Sequence, residues 1–254
     1  MKRRRLTILG GTVVVLGLLV LINFIPTFNL KTKAMSKLEG EWINLYYEQE
    51  EATAKDLLNF ADEATAEIAK RLGFNDKQDV NVYVYDSQHT MQQKKYGYVV
   101  SLLSLDWYIG DNLGRNVILT SPSNPGDVHE YDDVKDALPH EIVHAYISVI
   151  NPKPSLWLTE GMALHLSNGE AFHRDLLSFV PIPSFEDTGT KNPIHFSNMG
   201  GYTFAHTYIE YLENHYSWDS VLKLIGSEDY EGTLGRTRQE IYDEWVNYLE
   251  SYPT

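Results

Sequence analysis

Two histidines four residues apart and a glutamate sixteen residues further on constrain this chain more than any other feature: His140-Glu141-Ile142-Val143-His144, then Glu160 within Trp157-Leu158-Thr159-Glu160-Gly161-Met162-Ala163. Residues four apart share a helix face, so His140 and His144 present two imidazoles that one divalent ion can bridge. A third ligand requires the chain to leave that helix, turn through Asn151-Pro152-Lys153-Pro154 and return a carboxylate from a second helix. Two helices must therefore converge. Two His and one Glu with an open fourth position form a catalytic type of zinc site, whereas structural sites are closed by four protein ligands. Glu141 lies about 100° around the helix from His140, better placed to touch water on the metal than to bind the metal.

These residue types carry a chemistry. Zinc lowers the pKa of bound water from 15.7 to roughly 7. Glu141 can take the remaining proton as the water attacks a carbonyl and then pass it to the leaving amine. The expected reaction is amide hydrolysis without a covalent intermediate.

In these residues the chain resembles the gluzincin metallopeptidases, in particular the compact peptidase MA-like group, where His-Glu-x-x-His is followed by Trp-Leu-x-Glu-Gly-x-Ala. The resemblance runs from the helix near Ala52 to the C-terminus and is diagnostic only between His140 and Ala163. It implies zinc held by His140, His144 and Glu160, with Glu141 as general base and acid. It further implies a zincin-like α+β fold, with a small sheet-containing upper lobe above a helical lower lobe. Related enzymes bind an extended peptide along an edge strand, for which Tyr98–Leu105 is the expected candidate here. They also use a Tyr or His from a later helix to stabilise the oxyanion. Tyr202 and His206, one turn apart, are both candidates, and one such donor is worth about 2.7–4 kcal/mol.

Ahead of that domain, Lys2-Arg3-Arg4-Arg5 precedes an apolar run from Thr7 to Ile25. As a helix the run spans about 29 Å, close to a bilayer's hydrocarbon thickness. With the basic cluster on the cytoplasmic side, the expectation is a single-pass anchor at the cell membrane, with the catalytic domain outside the cell. A cleaved signal peptide would have a shorter apolar region and a clearer small-residue cleavage site. The expected organisation is residues 1–30 as basic tip and transmembrane helix, 31–51 as linker and 52–254 as peptidase domain. The chain has no cysteine, hence no disulfide framework. Its net charge is −14; residues 1–30 carry four bases and no acid, so the rest carries −18. That balance argues against nucleic acid as a partner. A peptide or protein is the expected substrate.

Apolar residues at helical spacing from Ala52 to Leu72, stopped by Gly73, predict a helix, and Val80, Val82 and Val84 alternate as a strand. Asn116 to Thr120 reads as another strand, and Gly110 to Gly114 as a turn before it. Pro139 predicts that the metal helix starts or bends beside His140. Asp136 could cap that helix or orient His140. Trp157 is expected in the core and His165 in a structural role. Residues 170–200 read as a long loop, followed by helices near Tyr202–His215, Trp218–Ile225 and Thr237–Tyr252. The alternative to an enzyme is a non-catalytic zinc-binding or structural cell-surface module, which would have no use for Glu141.

Overall fold

The computed structural model describes residues 2–167 and 172–252, with side-chain surroundings from residue 12 onward. The fold is α+β, a small mixed sheet followed by many helices. Helix α1 (Lys2–Asn23) and a 3-10 turn (Ile25–Phe28) lead to β1 (Ser36–Glu39) and β2 (Asn44–Tyr47). The expected transmembrane helix is overturned: no helix among the described residues is long and apolar enough to cross a membrane. The basic cluster and the start of the apolar run lie outside the residues whose side chains are described.

Residues 31–51, read from sequence as a linker, contain β1 and β2. Helix α2 (Glu51–Arg71) follows and buries Ala54, Leu57, Ala61 and Ile68 at helical spacing. It stops at Gly73, whose φ of 82° favours glycine, and Phe74 N–H closes the end on Ala69 O at 2.8 Å. Next come β3 (Asn81–Tyr85), α3 (Gln88–Tyr96), β4 (Gly110–Leu113) and β5 (Asn116–Thr120). The sheet order is β1-β2-β3-β5-β4; β2, β3 and β5 run parallel, and β1 and β4 are antiparallel edges. Alternation sorts the faces: Leu45, Val82, Val84, Val117 and Leu119 enter the main core, while Tyr85 and Ile118 join a second cluster with Met35, Met91 and Tyr108.

Two sequence expectations change here. Tyr98–Leu102 is a 3-10 turn, not an edge strand, and the stretch read as a turn, Gly110–Leu113, is the edge strand β4. The hairpin turns at Gly114, at φ 60°, where Leu113 faces Asn116.

Helix α4 (Tyr131–Ile150) packs on α2, β4 and β5 from one side and on α5 (Leu156–Leu166) from the other. The remaining helices are α6 (Pro193–Asn198), α7 (Gly201–His215), α8 (Trp218–Ser227), α9 (Tyr230–Leu234) and α10 (Arg238–Glu250). The region expected as a loop therefore carries α6 as well as 3-10 turns at Arg174–Ser178 and Asp187–Gly189. Trp157 is buried as expected, its ring edge-on to Phe196, Tyr208 and Trp245 at 6.0, 6.1 and 5.6 Å. Such aromatic pairs add about 0.5–1.5 kcal/mol each beyond area burial. They lock α5 onto α6, α7 and α10.

Candidate metal centre

Helix α4 begins at Tyr131, eight residues before Pro139, with Asp133 accepting from Glu130 N–H at 2.8 Å. Pro139 removes one backbone donor, but the helix continues through it to Ile150. His140 and His144 consequently keep the four-residue spacing, and their Nε2 atoms face each other at 3.1 Å. Asp136 is exposed within the helix, so it does not cap it, and it has no hydrogen bond to His140.

Helix α5 brings the carboxylate. Glu160 Oε2 lies 3.4 Å from His140 Nε2, and Oε1 lies 3.5 Å from His144 Nε2. An ion that holds nitrogen and oxygen ligands at about 2.0–2.2 Å in a tetrahedron needs those donors about 3.3–3.6 Å apart. The observed triangle is close to that size, and His140, His144 and Glu160 form a group that could hold a metal ion. Glu160 Oε2 is buried without a hydrogen-bond partner, the position of an atom awaiting a ligand.

The electrostatics follow from burial and charge at close quarters. Burial pushes the Glu160 carboxyl up, but His144 and His140 outweigh it and hold the pKa down at about 2. Burial lowers His144, and the Glu160 carboxylate, with Glu141 and Asp111 beyond it, more than reverses that and raises it. Glu141 is raised by burial, partly opposed by His144 and His140.

Two neighbours of the site were not assigned from sequence. Thr159 Oγ1 lies 2.9 Å from His144 Nδ1 and sets the orientation of that ring. Its adjacency to Glu160 was no sufficient signal, because the next residue on a helix points about 100° away and only the packing of α5 against α4 brings Thr159 to the ring. The other neighbour is β4: a Cβ on Gly110 would lie 3.6 Å from Glu141 Cγ, so the edge strand passes directly beside Glu141. Gly, Asp and Asn disguise this strand as a turn. Asp111 on β4 is held by Lys95 at 2.9 Å and by the Tyr108 hydroxyl.

Comparison with known protein families finds no match. No curated protein and no solved structure matches the chain either.

The two oxyanion candidates occupy different surroundings on α7. Tyr202 is 46 % exposed, with its ring edge-on to Phe196 at 4.9 Å. Its hydroxyl is raised by burial and by the charges of Glu160, Glu141 and Asp111, all at the candidate centre. His206 is lowered by burial, and the charges acting on it are Glu210 and His165; its Nε2 is buried without a partner. His165 bonds Glu213 at 2.7 Å and stacks on Trp218, a structural role.

Gly161 has a steric reason. A Cβ there would meet Ala205 O at 2.5 Å, so α5 and α7 approach closely one residue after Glu160.

Proposed function

We propose that this protein is a zinc-dependent peptidase working in the manner of the gluzincins it resembles, with His140, His144 and Glu160 holding zinc. The observation that carries the reading is the convergence of those three donors beside Glu141 and the free edge of β4. Zinc, when bound, supplies Lewis acidity that polarises a carbonyl and makes water acidic near neutral pH. Glu141 takes a proton from the attacking water at its carboxylate and returns it to the leaving nitrogen. The Tyr202 hydroxyl donates to the carbonyl oxygen as charge develops there. The unpaired edge of β4 aligns an extended peptide by backbone hydrogen bonds, a mode indifferent to side chains. Together these groups position an amide between a proton acceptor and a hydrogen-bond donor.

The test is metal content and peptide cleavage of the full chain, purified without chelator. One zinc per chain is expected in the parent and none in His144→Ala. Glu141→Gln should retain zinc and lose nearly all hydrolysis. A parent without metal, or Glu141→Gln cleaving as fast as the parent, would end this reading.

A further inference from the structure

The large apolar side chains left exposed among the described residues fall mostly in two stretches, 13–28 and 96–107. The fold brings these stretches together. At the end of α1, the Asn23 side chain donates to Tyr96 O at 3.3 Å and accepts from Val99 N–H at 2.6 Å. Gly97, at φ 75°, leaves room for that contact, since a Cβ there would overlap Asn23 O. Lys94 Nζ adds a second clamp by donating to Asn29 O at 2.6 Å. The end of α1 and the two 3-10 turns, Ile25–Phe28 and Tyr98–Leu102, are thereby held side by side.

In a 3-10 turn, residues three apart lie one above the other. Ile25 and Phe28 therefore point the same way, as do Val99 and Leu102, and all four are exposed, Phe28 at 78 % and Leu102 at 83 %. Val100 is the buried residue of its turn, which is thus anchored inward and apolar outward. No Asp or Glu occurs from residue 12 to 38 or from 87 to 105, in a chain of net charge −14. The two stretches that make this face carry no charge that lipid phosphate repels, and Lys31 and Lys33, both exposed, follow directly.

An apolar face of this extent marks an interaction site. The adjoining helix indicates what covers it: every residue of α1 from Thr12 to Ile22 is exposed, so apolar side chains project around its whole circumference. A single protein surface covers one side of a helix, whereas lipid reaches all sides. We propose that this face rests on a lipid bilayer, with Phe28, Leu102 and Leu103 in the interfacial layer. It is contact with one surface, since no described helix is long and apolar enough to cross, and it stands apart from the peptidase reading.

The chain has no cysteine, so a single reporter can be placed at will. Full-length Leu102→Cys and Phe28→Cys proteins are labelled with a fluorophore whose emission moves to shorter wavelength in apolar surroundings. Phe179→Cys, as exposed as Leu102 but outside both stretches, is the control. On addition of vesicles of phosphatidylcholine and phosphatidylglycerol in equal parts, the probes at 102 and 28 should brighten several-fold and shift, and the probe at 179 should not. A silent probe at 102 or at 28, or an equal response at all three sites, would overturn the proposal. A shift at 102 produced by raising protein concentration without lipid would overturn it in favour of a second copy on this face.

Discussion

Thr159 Oγ1 stands 2.9 Å from His144 Nδ1 while the next residue, Glu160, reaches the other nitrogen of the same ring at 3.5 Å. One turn of α5 therefore holds both ends of one imidazole. With a metal at Nε2, Nδ1 carries the proton and donates it to Oγ1. Thr159→Val keeps the shape and removes the acceptor. Metal affinity should fall about 10- to 100-fold, read by competition with a chromophoric chelator, while the circular dichroism spectrum is unchanged. Unaltered affinity would show that Thr159 does not orient the ring.

Tyr202 and His206 share α7 but feel different charges, Tyr202 those of Glu160, Glu141 and Asp111 and His206 those of Glu210 and His165. Tyr202→Phe should lower kcat by about 10²- to 10³-fold with little change in KM, the loss typical of one oxyanion donor. His206→Gln should leave kcat within a few-fold of the parent. Steady-state kinetics on one cleaved peptide would decide, and the opposite ranking would transfer the role to His206.

Gly161→Ala tests the close approach of α5 and α7. Alanine gains about 1 kcal/mol of helix propensity over glycine, but its Cβ would lie 2.5 Å from Ala205 O, a backbone atom with little freedom to yield. Overpacking of this kind costs about 1–3 kcal/mol and displaces the helix. Urea unfolding should show a less stable protein, with weaker metal binding because Glu160 moves with α5. A variant as stable as the parent would remove the steric account.

Acid stability should depend in part on Glu213. Burial raises this carboxyl, but hydrogen bonds from His165 and Arg71 outweigh burial and leave it below its ordinary value. A folded-state pKa below the unfolded one contributes stability above the ordinary value near 4.3, lost as pH falls through the lower folded value. Glu213→Gln should be less stable than the parent at pH 6 and converge with it toward pH 3. Unfolding free energies across that range provide the check, and a gap that widens in acid would reverse the sign.

Local spacing made much of the helical architecture legible. The burial stripe of α2, the stop at Gly73 and the capping of α10 by Thr237, which accepts from Glu240 N–H at 3.2 Å, follow from residues a few positions apart. Elements too short for a pattern to emerge, such as β1, β2 and α9, were not legible. The N-terminal apolar run was read as a span from its composition, yet no described helix is long and apolar enough to be one.

The sequence by itself determined that His140 and His144 share a helix face, because four-residue spacing sets a face wherever the helix lies, and it offered Glu160 as a candidate third donor. Only the tertiary structure decided that Pro139 leaves that pairing intact, that Thr159 orients His144, and that β4 runs beside Glu141. The last two relations join separate elements, α4 with α5 and α4 with β4. They are set by how α4 lodges between the sheet and α5, a packing outcome that no local pattern encodes.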